Sequence, residues 1–221
     1  MSAFATPRAW AAQAAPARPF RIGNRNPNEF YPTPPEATRA LLSVETFDGP
    51  IWEPACGDGA IAQVLADHGH AVISTDLYAY GFGQSGVNFL REREARAKHI
   101  VTNPPYGRGL ADRFIIQALD LTVQTGGKTA MLLDLASLCH PSHTPLWRER
   151  SPARIYAVDD IVCWPKDYPP PRAALLKRRY CWAVWEHGHE GPSAFWWLSG
   201  AAFRVPVQRS APRTCANWKI Q

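Results

Sequence analysis

The sequence predicts an α/β fold in which a largely parallel sheet is covered by helices on both faces. Two observations lead to this prediction: apolar strand signals alternate with amphipathic helix signals, and a glycine turn joins the first strand to the helix after it. The 221 residues are 46% hydrophobic and 19% charged, a globular composition with room for one large domain. No apolar stretch is long enough to predict a membrane-spanning helix.

The first predicted element is a helix from Pro34 to about Val44. Thr33 is expected to be its N-cap, and proline suits the first helical position. Glu36 lies three residues after Thr33 and is expected to complete a capping box. These signals predict that ordered structure begins close to residue 30.

A β-α-β unit is predicted next. A short buried strand over 50–54 leads into the turn Cys56-Gly57-Asp58-Gly59, and a helix follows as far as Gly69. A second strand over 71–76 ends in Asp76. This order brings a glycine turn and an acidic residue to the same edge of the predicted sheet.

The second half of the chain supplies the rest of the sheet. The remaining predicted elements are a strand over 99–102, a helix over about 110–121, and strands over 129–133, 155–164 and 180–185. A loop with three consecutive prolines separates the last two strands. Alternation of this kind favours parallel strand pairing.

Basic residues are concentrated at the two ends of the chain. Lys and Arg exceed Asp and Glu by 24 to 19, and no acidic residue precedes Glu29 or follows Glu190. We therefore predict a disordered basic segment over 1–26, one domain over 27–205 and a basic tail over 206–221. The net charge of +5, with nine Trp and nine Phe interleaved with arginine, favours a nucleic-acid partner. Solvated tails without a partner are the alternative.

Cysteine and histidine usage gives little sign of cross-links or metals. The five cysteines are scattered and form no Cys-x-x-Cys pair, and the seven histidines show no ligand spacing. We expect no disulfide framework, no metal site and a reducing compartment.

The glycine turn and Asp76 together predict a nucleoside site. Gly57 and Gly59 let the backbone approach a ligand closely, and Asp76 lies about 20 residues downstream, where an acidic residue binds ribose hydroxyls. The third glycine of a dinucleotide fingerprint is missing, and Asp58 would repel a pyrophosphate. The site therefore favours a cationic adenosine derivative over NAD.

The box Asn103-Pro104-Pro105-Tyr106 follows the third predicted strand. With the upstream turn and Asp76, it resembles the S-adenosylmethionine-dependent amino-methyltransferases that carry an Asn-Pro-Pro-Tyr box. The similarity is closest to DNA adenine-N6 methyltransferases of the small phage and prophage type, over about residues 28–187. This resemblance implies a Rossmann-like class I methyltransferase fold, with a mostly parallel seven-stranded sheet, and S-adenosyl-L-methionine as cofactor.

The resemblance also implies roles for individual residues. Asn103 and Pro104 would accept hydrogen bonds from the target amine, Pro105 would help to fix the backbone, and Tyr106 would stack on a flipped base. Asn88 departs from the family, which commonly has Asp there, so a weakened contact with the cofactor adenine is expected. The residues implied to contact the cofactor are Tyr31, Thr33, Glu53, Ala55, Gly57, Gly59, Asp76, Leu77, Asn88, Phe89 and Asn103.

Signals for DNA contact are weaker. Arg148, Arg150 and the run Lys177-Arg178-Arg179 are candidates for phosphate contacts, although exposed arginine-rich loops are commonly only solvated. The resemblance implies DNA as partner, either duplex with a flipped base or single-stranded, in the cytoplasm of a bacterium or phage-infected cell. No membrane association is expected, and monomer and weak dimer stay open.

Alternative substrates are left open by the sequence. The Asn-Pro-Pro-Tyr box also occurs in enzymes that methylate glutamine amides of release factors or guanine amines of ribosomal RNA, and cytosine N4 or RNA adenine presents the same planar amine. A catalytically silent nucleic-acid-binding homologue is a further alternative. The target base sequence is not predicted.

Overall fold

The computed structural model describes residues 28, 30–141, 143–164 and 179–205. The segments 1–26 and 206–221, predicted to be basic tails, lie outside the described residues, as do Lys177 and Arg178. Within the described ranges, seven strands form one sheet, and helices pack against it. No helix among these residues has both the length and the apolar character needed to cross a membrane.

The strands and helices follow the predicted order. The strands are β1 (Ile51–Glu53), β2 (Val72–Ser74), β3 (His99–Thr102), β4 (Lys128–Asp134), β5 (Arg154–Asp159), β6 (Tyr180–Glu186) and β7 (Ala194–Ser199). The helices are α1 (Pro35–Leu42), α2 (Ala60–Asp67), α3 (Leu110–Thr122) and α4 (Thr144–Glu149). The strand order is β2-β1-β3-β4-β6-β5-β7, in which β6 is antiparallel to both neighbours and all other pairs are parallel. This confirms the predicted, mostly parallel α/β fold.

Helices cover both faces of the sheet because successive strand residues point to opposite sides. Val101 and Leu132 pack in one core cluster with residues of α1 and α2. Ile100 and Met131 pack in a second cluster with residues of α3. Trp182 in β6 is fully buried, and its Nε1–H donates a hydrogen bond of 2.9 Å to a backbone carbonyl of α1. The two clusters hold the strand ends in fixed relative positions.

The predicted capping box at the start of α1 is wrong. Pro34 occupies the N-cap position, and no side chain caps the helix. Glu36 instead forms an ion pair with Arg204 at 3.2 Å. The hydroxyl of Thr33 accepts a hydrogen bond from Asn103, 70 residues away in sequence. A long-range partner has replaced the local cap.

Two features of the last strands differ from the prediction. β7 was not predicted, because its sequence Ala-Phe-Trp-Trp-Leu-Ser lacks the alternation of apolar and polar residues that marks a strand. β7 lies at one edge of the sheet and exposes 42% of Phe195, 57% of Trp196 and 78% of Trp197. The strand predicted over 155–164 ends at Asp159, because Asp160 has a positive φ of 51° that interrupts the extended backbone.

Candidate functional site

A cavity of about 600 Å³ lies at the carboxyl ends of β1, β2 and β3. Parallel pairing brings the loops after these three strands to one edge of the sheet, which is where α/β proteins bind ligands. Residues 28 and 30–33 before α1 and the start of α3 complete the lining. The fold therefore assembles one pocket from five separate stretches of the chain.

Most of the residues predicted to contact a cofactor line this cavity. They are Tyr31, Thr33, Glu53, Ala55, Gly57, Asp76, Leu77, Asn88, Phe89 and Asn103. Gly59 is not among the lining residues. Of the box after β3, Asn103 and Pro105 line the cavity, whereas Pro104 and Tyr106 do not.

The turn after β1 requires glycine for two reasons. Gly57 has φ of +54°, and a Cβ atom there would lie 2.4 Å from a ring carbon of Phe30. Phe30 in turn stacks on Tyr80, with ring centroids 4.2 Å apart. A Cβ atom on Gly59 would lie 2.7 Å from the ring of Phe82, so Gly59 packs against an aromatic side chain. Aromatic rings from both sides hold this turn in place.

Asp76 is fixed by two backbone hydrogen bonds. Its Oδ2 accepts from Gly57 N–H at 2.9 Å, and its Oδ1 accepts from Tyr78 N–H at 2.8 Å. Burial raises the pKa of Asp76 in spite of these bonds. Leu77 N–H also interacts with the carboxylate. The two oxygens together can accept about four hydrogen bonds, so acceptor capacity remains for a hydroxyl of a ligand.

The cavity is strongly acidic on one side. Glu53, Asp58 and Asp76 all line it, and Arg113 is the only Lys or Arg among the described lining residues. Glu53 is 2% exposed, and its Oε2 has no hydrogen-bond partner among the described groups. Burial raises the pKa of Glu53 well above its usual value, and repulsion from Asp76 and Asp58 raises it further. Such a site favours a ligand with positive charge and hydrogen-bond donors.

The side-chain amide of Asn103 is held at both of its ends. Its Nδ2 donates to Thr33 Oγ1 at 3.0 Å and lies 3.3 Å from the carbonyl oxygen of Tyr31. Its Oδ1 accepts from the hydroxyl of Tyr106 at 2.8 Å, and the same hydroxyl lies 2.9 Å from the carbonyl oxygen of Leu132. The amide is therefore fixed at the edge of the cavity, with one oxygen lone pair still available.

Tyr106 lies against the protein core. Its half-buried ring packs against residues of both core clusters, and burial raises the pKa of its phenol well above the usual value. The sequence analysis gave a role only to the flat face of the Tyr106 ring. It did not predict the hydrogen bond that the hydroxyl donates to Asn103. Stacking on a flipped base stays a prediction.

Asn88 and Phe89 form the far side of the cavity. Asn88 Oδ1 accepts from Leu90 N–H at 3.1 Å and caps a short 3₁₀ turn. Phe89 is 2% exposed and packs edge-on against Trp52, with centroids 5.1 Å apart. Phe89 therefore belongs to the core and to the cavity wall at once.

The arginines proposed for DNA contact do not line the cavity. Arg148 is exposed, and Arg150 pairs with Asp120 at 2.6 Å on the surface. Arg179 is exposed as well. The described residues contain no cluster of His, Cys, Asp or Glu that could hold a metal ion.

Several lining residues were missed from the sequence. They are Tyr78, Tyr80, Leu110, Arg113 and Phe114. A signal for two of them was present, because Tyr78 and Tyr80 follow the acidic residue that ends the β-α-β unit. The sequence analysis assigned these two tyrosines no role, although aromatic rings close to a predicted nucleoside site are candidates for ligand contact.

Comparison with known proteins identifies the fold. No protein-family model matches the sequence, and no curated protein matches it. One similar solved structure, from Vibrio vulnificus, is provisionally identified as the modification subunit of a type I restriction enzyme. The two chains are 16% identical with a TM-score of 0.52, and the match covers 81% of this chain and 48% of that chain. Another, from Listeria monocytogenes, is provisionally identified as a class I S-adenosylmethionine-dependent methyltransferase, with a TM-score of 0.55 at 13% identity, over 80% and 67% of the two chains. The chain thus spans about half the length of the Vibrio subunit. At this level of identity the likeness establishes the class I methyltransferase fold, as the sequence predicted.

Proposed function

We propose that this protein, which has the class I methyltransferase fold, transfers a methyl group from S-adenosylmethionine to the exocyclic N6 amine of adenine in DNA. The observation that carries the proposal is the side-chain oxygen of Asn103. It is held at the carboxyl end of β3, beside a cavity lined by three carboxylates. An acceptor for a target amine thus lies next to a pocket for a cationic nucleoside.

The cavity suits S-adenosylmethionine in charge and in size. Its volume of about 600 Å³ lies within the range of small-molecule pockets. Asp76 would accept hydrogen bonds from the ribose hydroxyls, and the carboxyl group of Glu53, whose Oε2 has no partner among the described groups, would accept one from the ammonium group of the methionine part. Leu77 and Phe89 offer apolar contacts for the adenine ring.

The chemistry requires an amine acceptor more than a strong base. In adenine the N6 lone pair is delocalised into the ring, so it is a poor nucleophile. Asn103 Oδ1 and the carbonyl of Pro104 would accept the two amine hydrogens and favour the form whose lone pair points at the methyl group. When bound, S-adenosylmethionine supplies that methyl group: the new N–C bond forms as the C–S bond breaks. The methylated nitrogen then loses its proton to water.

DNA as the substrate is supported by charge and by likeness. The chain carries a net charge of +5, which favours a polyanion. The similar Vibrio structure is provisionally identified as a restriction-modification subunit. A base within a duplex cannot reach the cavity without being flipped out, and Tyr106 is our candidate for stacking on it.

Transfer of a tritiated methyl group to DNA, followed by nucleoside chromatography, tests the proposal. We expect the label in N6-methyladenine. Asn103→Ala should lower turnover at saturating cofactor by roughly 10²-fold or more, as loss of one oriented transition-state contact does, with a smaller loss of cofactor affinity. Gln124→Ala is the matched control, since that amide bonds Ala95 N–H and Arg93 O, which do not line the cavity. Label in N4-methylcytosine, or in protein glutamine with none in DNA, would show that the acceptor is wrong.

A further inference from the structure

The hydrogen bonds of Asn103 make two patterns possible, and they differ by a half-turn of the amide. In the observed pattern Nδ2 faces Thr33 and Tyr31, and Oδ1 faces Tyr106. In the reversed pattern Nδ2 would donate to the oxygen of Tyr106, and the Tyr106 hydroxyl would donate to Leu132 O, which lies 2.9 Å from it. In the observed pattern the single hydroxyl hydrogen of Tyr106 goes to Asn103 Oδ1, and Leu132 O does not receive it. The reversed pattern would serve both neighbours of the hydroxyl, so Tyr106 is not the residue that selects the observed orientation.

The segment before α1 distinguishes the two patterns. The Thr33 hydroxyl can donate or accept, but the carbonyl of Tyr31 can only accept. In the reversed pattern, Asn103 Oδ1 would face the Tyr31 oxygen across 3.3 Å with no hydrogen between them. The thiol of Cys163, 3.8 Å from Nδ2, is a weak donor and a weak acceptor and favours neither. Tyr31 and Thr33 therefore favour the observed orientation.

The prolines of this segment fix its geometry. Tyr31 precedes Pro32, and Thr33 precedes Pro34. A residue before proline is restricted to extended backbone, so the Tyr31 carbonyl and the Thr33 side chain are presented in a defined direction. Thr33 is 3% exposed, and its hydroxyl caps no helix. The Tyr-Pro-Thr-Pro sequence is thus explained by the partner that it presents to Asn103.

The orientation of the amide decides whether Asn103 can bind an amine. As observed, the side-chain oxygen keeps a lone pair that can accept a hydrogen from an incoming amine. Reversed, the side chain would present an N–H to that amine, and donor would face donor. Only the observed orientation stabilises the amine with its lone pair free.

We propose that Thr33, with the carbonyl of Tyr31, is a positioning residue that sets the amide orientation of Asn103, and that the Tyr106 hydroxyl holds the amide once it is set. The inference rests on the proposed function in so far as Asn103 is taken as the amine acceptor. It adds that the segment before α1 orients the residue that binds the target amine, as well as lining the cavity.

Substitutions of Thr33 and Tyr106 test the kinetic consequence. Under single-turnover conditions at saturating cofactor and DNA, Thr33→Val should lower the rate about tenfold, and Thr33→Ser should restore it to within about threefold. Tyr106→Phe should also lower the rate about tenfold while the KM for DNA stays the same, because the ring is kept. Thr122→Val and Tyr156→Phe are matched controls, since each loses a buried hydroxyl hydrogen bond whose partner, Ala118 O or Glu45, does not line the cavity. A Thr33→Val effect that is confined to cofactor KM, with the saturated rate unchanged, would overturn the proposal.

A second measurement is independent of activity. In ¹⁵N-labelled protein the side-chain amide protons of Asn103 should show through-space contacts to Thr33, and these should be lost in Thr33→Val but kept in Thr33→Ser. If the contacts are instead to Tyr106 in the wild type, the orientation is reversed and the inference is wrong. Wild-type protein that shows the Thr33 contacts but labels no DNA would contradict the proposed function and leave the amide orientation supported.

Discussion

Asp76, at the end of β2, accepts a hydrogen bond of 2.9 Å from the backbone N–H of Gly57 in the turn after β1. The second carboxylate oxygen accepts from Tyr78 N–H at 2.8 Å. One side chain thereby joins two of the loops that line the cavity. Its removal is expected to affect both the shape of the empty site and the contact with a ligand.

Asp76→Ala should weaken binding of S-adenosylmethionine by about 10- to 100-fold, because charge-assisted hydrogen bonds to a ribose would be lost. Isothermal titration calorimetry measures the change. Asp67→Ala, which removes an exposed carboxylate of α2 outside the cavity, should leave the affinity unaltered. An unaltered Kd in Asp76→Ala would mean that the ribose binds elsewhere.

Gly57→Ala should abolish cofactor binding more completely than its backbone strain alone explains. Gly57 and Gly69 both have positive φ, at +54° and +87°, but only the Gly57 Cβ would meet another group, the Phe30 ring at 2.4 Å. A Cβ atom on Gly69 would meet no other group within 4 Å. Gly69→Ala therefore reports the backbone strain alone, which costs about 1 kcal/mol of stability. Urea unfolding and cofactor titration of both variants separate the two effects. Equal cofactor affinity in the two variants would contradict the role given to Phe30.

Glu53 should make the folded state less stable as pH rises. Burial raises its pKa above the usual 4.5, so the folded protein keeps a proton that the unfolded chain loses first. Stability linked to this group is therefore lost between pH 4.5 and the higher folded-state pKa, and then stays constant. Glu53→Gln should remove this loss, and its gain in unfolding free energy over wild type should grow with pH in urea titrations. A gain that is independent of pH would contradict the prediction.

Glu45 provides a control of opposite sign. Burial by itself would raise the pKa of Glu45, but hydrogen bonds from Arg154 and Lys128 hold the pKa below its usual value of 4.5. The stability linked to Glu45 is present above pH 4.5 and is lost as pH falls through the lowered pKa. Glu45→Gln should therefore destabilise the protein at neutral pH.

Cys56 should resist alkylation although it lies in the turn after β1 and lines the cavity. Burial is the main reason that the pKa of its thiol is raised to about 12, and repulsion from the nearby Glu53 and Asp76 carboxylates contributes. Cys139 is exposed and should react with iodoacetamide at pH 8 much faster, because alkylation requires a thiolate that the reagent can reach. Peptide mass spectrometry at a series of times gives both rates. Comparable rates would show that the turn opens readily.

The sequence predicts the elements whose signals are local. α2 was predicted from three apolar residues at helical spacing, which the structure buries, and the site edge was predicted from glycines and an acidic residue on consecutive loops. Thr33 was assigned to a helix cap because its true partner, Asn103, is 70 residues away. The hydroxyl of Tyr106 was missed for a similar reason, since a box motif does not reveal which main-chain carbonyls surround it. Interactions between distant segments decided the details of the site.

The outer edge of β7 has a consequence for how the protein behaves at high concentration. In the described part of the chain no strand pairs with that edge, and Trp196 and Trp197 lie exposed on it. The strand itself contains no proline and no charged residue, the two features that most often keep a free edge from accepting another strand. We therefore expect self-association at high concentration to begin at this edge, which lies at the opposite end of the strand order from β2.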